Sequence, residues 1–376
     1  MTSVIRKVDI LLIIGAVSLI NVRCRQPYVL PVSAVNSNYL VVEGMINNSP
    51  VIKLSRTVRL SDTVSVKPET GASVSVESQS PGGSSGVTTI LTDNGSGNYS
   101  LGAGSLALNQ ANLYRLRIVT SNGKNYISDF VPVKNSPPVD SISYEVKSNG
   151  IQIYSASHDP ANNTRYYRWD YNETWIIQSK YPSTEVVVHT PKDTIITRPY
   201  EDFIFSCWQS DASTGIILNS SAKLTQDVIV HNPVTFISSS SEKLGHEYSI
   251  LVNQYALTAD AYNYWQNLKK NTEQLGSIFD AQPSEIKGNI NSVNNPSEPV
   301  LGYISAGLPS QTRIFIGNSQ VPYYWFKQIK LPYDNCILDS VYYKDPKFNN
   351  TNTVVRLYPG GLIPTSPIWV IPPNII

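Results

Sequence analysis

Charge is scarce in this chain: Asp, Glu, Lys and Arg make up 15% of its 376 residues, against about 25% in typical soluble domains. Twenty-nine basic residues face 28 acidic ones, for a formal charge of +1. That balance provides no basic field of the kind that displaces counterions from nucleic-acid phosphates. Cysteine is nearly missing, with three in all, and histidine is limited to His158, His189, His231 and His246. Neither Cys207 nor Cys336 has a cysteine or histidine close by at zinc-ligand spacing. No histidine pair frames a glutamate as in helical zinc proteases, and no glycine-rich phosphate loop runs into Lys and Ser or Thr. Carboxylates are nowhere locally concentrated, so no pair stands out for glycoside chemistry. We therefore expect no catalysis, no metal and no cofactor, and rank an unrecognised hydrolase last among the readings.

Long apolar runs are also missing. The one apolar run of note, Ile10 to Ile20, covers about half of the roughly 20 residues that a membrane-spanning helix needs. It follows Arg6 and Lys7 and is followed directly by Cys24. A cationic start, a short apolar stretch and a processing point describe a secretory signal over residues 1–23. A cysteine at that point suggests a lipoprotein acylated on Cys24, although Asn21, Val22 and Arg23 stand where small residues are usual. Plain secretion and a retained anchor are the alternatives. Loss of Arg6, Lys7, Arg23 and Asp9 with the signal would turn the formal charge to −1. Cys207 and Cys336 would then remain as an even pair in an oxidising compartment, open to a disulfide or to two buried thiols.

Asn, Ser, Thr and Tyr fill the space that charge leaves, and they are arranged as β-text. Residues 24–37, with Pro27 and Pro31, read as a tether. From Tyr39 the chain alternates short apolar-patterned runs with turns: 39–46, 51–57, 72–77, 87–91, the turn Asp93–Asn98 before Tyr99, 113–120, and 126–133 after Asn122-Gly123. Seven short strands in about 100 residues predict an immunoglobulin-like β-sandwich over 38–134. Tyr114, at the start of its strand, is a candidate for pinning a corner. Pro137-Pro138 then marks a linker or hinge, and residues 135–376 form a second, larger β-rich domain with one long helix near 258–275. In the dense aromatic run 165–175, Tyr167, Trp169, Tyr171 and Trp175 share one strand face, which makes them core in preference to a binding platform. For the helix, Thr258 serves as N-cap and Gly276 as the stop, with Ala261, Tyr264, Trp265, Leu268 and Leu275 on one stripe. The best candidates for exposed ligand-contact aromatics are Tyr323, Tyr324 and Trp325, which follow Pro322 in a loop-like context.

Several strings occur in a fixed order: Tyr39-Leu40-Val41-Val42-Glu43-Gly44, Lys53-Leu54-Ser55-Arg56-Thr57, Pro137-Pro138-Val139-Asp140-Ser141-Ile142, Arg165-Tyr166-Tyr167-Arg168-Trp169, Glu173-Thr174-Trp175, Cys207-Trp208, Tyr248-Ser249-Ile250, Gln274-Leu275-Gly276-Ser277-Ile278-Phe279-Asp280, Gln282-Pro283-Ser284, Gly288-Asn289 and Val300-Leu301-Gly302-Tyr303. Together, from Cys24 to about Cys336, they resemble the Bacteroidetes family called domain of unknown function 4249. The resemblance implies an outer-membrane lipoprotein acylated on Cys24 and encoded beside a TonB-dependent receptor. It thereby implies a role in nutrient uptake akin to SusC/SusD-like pairs. The family supplies no catalytic or ligand residues. Members often carry a second cysteine shortly after the position of Cys336. Here Ile337-Leu338-Asp339-Ser340 follows instead, which leaves Cys207 as the partner for Cys336. No acidic run follows Cys24, so the face of the outer membrane stays open. The expectation is a non-catalytic cell-envelope lipoprotein that assists or binds ligand for a TonB-dependent receptor. The alternative is a stand-alone module that binds a glycan or peptide through exposed aromatics.

Overall fold

The computed structural model describes residues 38–59, 62–63, 66–178, 185–190, 192–202, 206–273, 286–327, 339–341, 353–355 and 366–370. The expected signal, the tether with Cys24, Cys336 and the helix stop at Gly276 lie outside them. The chain is mainly β, as its alternating runs predict, and one α-helix occurs among the described residues.

The first half supplies strands β1 (Leu40–Gly44), β2 (Val51–Arg56), β3 (Lys67–Pro68), β4 (Ser73–Gln79), β5 (Ser85–Asp93), β6 (Asn98–Ser100), β7 (Leu113–Val119), β8 (Asn125–Ser128) and β9 (Val131–Pro132). Period-two alternation sorts their side chains. On β7, Tyr114, Leu116 and Ile118 enter the core, while Arg115 and Arg117 point outward and clamp Glu77 of neighbouring β4 at 2.7 and 2.5 Å. Burial alone would raise the Glu77 pKa, but the two guanidinium hydrogen bonds outweigh it and hold the carboxyl below its ordinary range. Tyr114 pins a corner: its hydroxyl accepts from the Asn109 amide at 2.8 Å, five residues upstream.

The next elements are β10 (Val139–Lys147), β11 (Gly150–Asp159), β12 (Tyr166–Gln178), β13 (Glu185–Thr190), β14 (Lys192–Thr197), β15 (Ser206–Ala212), β16 (Ile217–Ser220), β17 (Asp227–Ser238) and β18 (Glu247–Leu257). Helix α1 (Ala259–Glu273) precedes β19 (Ile290–Ser292), β20 (Val300–Leu301) and β21 (Ser310–Gly317). The last strands are β22 (Asp339–Val341), β23 (Thr353–Val355) and β24 (Ser366–Val370), which form a small sheet with β13 and β14.

The distribution of these strands differs from a division at 134/135. Strand β19 pairs with β8, and β20 pairs in parallel with β1, so the first sheet runs β19-β8-β7-β4-β5-β6-β2-β1-β20. Ile290, Val300, Ile304 and Ala306 complete the first hydrophobic core. The sandwich therefore consists of 38–134 plus a returning segment, 286–307, because neither β1 nor β8 has a second partner among the described residues up to 134. The chain then crosses back to add β21 to β18.

The second core lies between sheet β10-β11-β17 and sheet β15-β12-β18-β21. Tyr167, Trp169 and Trp175 of β12 are buried there, as their spacing predicts. Helix α1 is capped by Thr258, whose Oγ1 accepts from the Ala261 amide at 3.2 Å. It covers part of the outer face of β12 and β18, where the Arg168 guanidinium lies between the Tyr255 and Trp265 rings, 4.4 and 4.5 Å from their centroids.

The Pro137-Pro138 linker is fastened at several points. Ser136 Oγ donates to the Gln254 carbonyl (2.8 Å) and accepts from the Ala256 amide (2.7 Å). The fully buried Gln254 side chain donates to the Pro137 carbonyl and to Ser157 Oγ and accepts from Trp169 Nε1. The returning crossing runs alongside: Lys134 N donates to the Ala306 carbonyl and Ser136 N to the Leu308 carbonyl. Among the described residues, two crossings thus join the cores, bonded to each other.

Candidate functional site

A polar cleft of about 560 Å³ opens at one end of the first sandwich. Four separate segments build it: Asn38 and Tyr39 at the entry to β1, Arg56 with Lys67 and Glu69 from β2 and β3, Ser121 to Lys124 from the β7–β8 turn, and Asn295 to Pro299 from the β19–β20 loop. The returning segment is thus part of the wall.

Its floor is a chain of ion pairs. Arg56 is nearly buried; its Nε donates to Glu69 Oε2 at 2.7 Å and its Nη1 to the Asn38 carbonyl at 3.3 Å. Burial works against the Arg56 charge, yet bonds to Glu69 and Tyr126 raise its pKa overall. Tyr126 donates its hydroxyl to Glu298 Oε1 at 2.8 Å, and Lys124 Nζ reaches both Glu298 oxygens at 2.9 and 3.0 Å. The Glu298 bond raises the Lys124 pKa. For Glu298, burial pushes upward, but Lys124 and Tyr126 prevail and hold the carboxyl below its ordinary value of 4.5. A depressed folded pKa contributes stability above the unfolded value and loses it as pH falls through the folded value. The difference in Tm between wild type and Glu298→Gln should therefore be full at pH 7 and shrink as pH drops below about 4.5. A difference that stays constant from pH 7 to 3 would rule out this pairing.

Above that floor stand groups with no protein partner. Among the described residues, the Lys67 ammonium, the Asn38 side-chain amide and the Ser121 and Ser297 hydroxyls line the cleft and form no hydrogen bond. Nothing in the sequence marked these residues. They are loop polar groups brought together only by the return of residues 286–307.

The aromatics chosen from sequence separate. Tyr323 and Tyr324 are 77% and 53% exposed. Trp325 is a correction: it is fully buried in the second core, because the 3-10 turn Tyr323–Lys327 rotates its ring inward. It offers no face to a ligand. Trp208 is 59% exposed on β15, and Trp265 is half-buried against Arg168. Phe315, on the same outer sheet face as Trp208, is exposed as well. Cys207 is exposed on β15 with a free thiol, whereas its expected partner Cys336 and the lipidation site Cys24 lie outside the described residues.

A single histidine–carboxylate ion pair occurs among the described residues. His158 Nδ1 sits 2.8 Å from Asp140 at the surface, and that bond raises its pKa. Among the described residues, no serine or cysteine bonds to its other ring nitrogen. Gly82-Gly83-Ser84-Ser85-Gly86 has the spacing of a hydrolase nucleophile elbow. It forms the exposed turn between antiparallel β4 and β5, with no helix following, so it lacks the strand-to-helix context of such an elbow.

A family model described as "Domain of unknown function (DUF4249)" matches residues 25–313. The chain belongs to the DUF4249 family. The DUF4249 match spans β1 through the middle of β21, and so includes the first core, most of the second and every wall of the cleft. No curated protein matches the chain. Among solved structures, the FN1-FN3 domains of chicken CNTN1 are similar at 11% identity over 58% of this chain, with a TM-score of 0.19. The native conformation of E. coli alpha-2-macroglobulin is similar at 8% identity over 59% of this chain, with a TM-score of 0.17. This chain spans 60% of the first structure's length and 17% of the second's. Both TM-scores are too low to assign a fold or a function.

Proposed function

We propose that this DUF4249 chain is a non-catalytic cell-envelope lipoprotein, anchored in the outer membrane through Cys24. In this reading it binds ligand for, or otherwise assists, a TonB-dependent outer-membrane receptor in nutrient uptake. One observation carries the binding half. Both carboxylates of the cleft, Glu69 and Glu298, are committed to ion pairs with Arg56 and Lys124. The cleft offers fixed charge pairs with uncommitted donors above them, an arrangement suited to recognition. The anchoring half rests on the sequence of residues 1–24 and on what the resemblance drawn from the sequence implies.

The test is a mild-detergent pull-down of the tagged full chain from its native envelope, with mass spectrometry of what accompanies it. Co-isolation of a TonB-dependent receptor at comparable abundance is the expected result. Recovery of the protein alone would overturn the receptor partnership. It would favour a stand-alone glycan- or peptide-binding module, a reading supported by exposed Trp208 and Phe315 on one sheet face.

A further inference from the structure

We propose that the cleft at the open end of the first sandwich binds a small acidic saccharide, with Lys67 reading its carboxylate. The inference rests on the ligand-binding half of the proposal above and requires no receptor.

The argument starts from which charges are already spoken for. Arg56 is paired with Glu69, and Lys124 with Glu298, so these four charges cancel within the floor. Lys67 is the one charged side chain of the cleft that makes no ion pair among the described residues, which leaves a local excess of one positive charge. A ligand that matches this field carries one negative charge. The rest of the wall decides what else the ligand carries. Apart from Tyr39 and Pro299, the side chains lining the cleft are amides, hydroxyls or charged groups, so an apolar ligand would strand polar groups without partners. Asn38, Ser121 and Ser297 offer unspent donors and acceptors from three sides. Short, spaced hydroxyls on a ring are the complement of such a wall, since each hydroxyl both donates and accepts. At about 560 Å³ the cleft falls within the range of small-molecule sites, roughly 300–1,000 Å³. The floor is preorganised: Arg56 is nearly buried, and its bonds to Glu69 and the Asn38 carbonyl fix the edge of the cleft before any ligand arrives.

The groups come from segments far apart in sequence, but all sit on one folded unit, so the site needs no partner chain. The side chains of Lys67 and Ser297 are exposed and make no hydrogen bond or ion pair among the described residues, which makes both suitable for substitution.

The test is isothermal titration calorimetry of the purified full chain with glucuronate, galacturonate and N-acetylneuraminate, each compared with glucose and galactose. Binding of at least one acidic sugar, and weaker binding of the neutral ones, is expected. Lys67→Gln should weaken the acidic sugar about tenfold, the scale of one charge-assisted hydrogen bond, and weaken any neutral-sugar binding by less. Ser297→Trp, which places a large ring in the cleft, should abolish binding. Tm values confirm that both variants are folded. Absence of binding by all three acidic sugars would overturn the proposal. So would equal binding of acidic and neutral sugars that is insensitive to Lys67→Gln, or binding that survives Ser297→Trp. A receptor recovered in the envelope pull-down together with no sugar binding here would remove this site while leaving the partnership intact.

Discussion

Replacing Lys243 with methionine should cost about 3 kcal/mol of folding stability, the lower end of what breaking a buried ion pair costs. Glu173 lies on β12 among the core aromatics and is 3% exposed. Its carboxylate is held by the Lys243 ammonium on one oxygen and by the Tyr248 hydroxyl at 2.9 Å on the other. The same ammonium rests 4.8 Å from the centre of the Trp175 ring. Burial and the Glu173 charge together push the Tyr248 phenol up, so that hydroxyl stays a donor. Without Lys243 the carboxylate keeps a single bond in a nearly dry setting. Lys243 itself is about a quarter exposed, so water can reach part of the vacated space, and for that reason the lower end is expected. Adding Glu173→Gln to the Lys243→Met variant removes the unpaired charge and should restore about 1 kcal/mol or more. Urea unfolding measures both, with an unchanged m-value marking a change in stability alone. A loss of less than about 1 kcal/mol for Lys243→Met would mean that Glu173 is solvated and the pair is a surface one.

Gly307→Ala should destabilise the protein by at least about 3 kcal/mol, combining a strained backbone with a steric clash. Gly307 has φ +153°, and a Cβ placed on it would fall 1.8 Å from the Lys134 carbonyl oxygen. The obstacle is backbone of the other crossing, which cannot rotate away as a flexible side chain can. Relief would require the two crossings to part, breaking the bonds from Gly307 N to the Ile46 carbonyl and from Lys134 N to the Ala306 carbonyl. Chemical denaturation is the measurement. A Gly307→Ala protein as stable as wild type would show that the crossings separate freely. As a control, alanine at Gly123, which has φ +80° but open space at its Cβ, should cost only the smaller penalty of its backbone conformation, about 1 kcal/mol.

The parts legible in the sequence are those governed by local periodicity. Val74 and Val76, or Leu116 and Ile118, declare their strands because a sheet with one buried face imposes period two. Thr258 declared the helix start because a cap is a local hydrogen bond. Trp169 and Trp175 followed the same rule into the core. What stayed hidden depends on pairings across long separations. Val300 beside Leu40 and Ile290 beside Ser128 leave no local trace, so the sandwich looked finished at residue 134. The cleft was hidden for the same reason: Lys124 and Glu298 are 174 positions apart. Trp325 failed because a 3-10 turn after a proline reads as loop, and loop does not say which way a ring points. Glu173 lay in plain view on the buried face of its strand, between Tyr171 and Trp175. Its parity alone marks a charge inside the core that must have a partner.

The route of the chain has a consequence for the order in which the molecule is made. A ribosome delivers β1 early, yet the strand that covers its free edge, β20, comes some 260 residues later. Until then the first sandwich carries unpaired edges at β1 and β8, the kind of surface that invites adhesion to other chains. Contacts this distant are also slow to form, since the intervening loop must be gathered first. The sandwich begun at β1 is therefore sealed only after much of the second unit has been made. A nascent chain released before Ala306 would leave its first core open, and assisted folding would matter most for this protein during that interval.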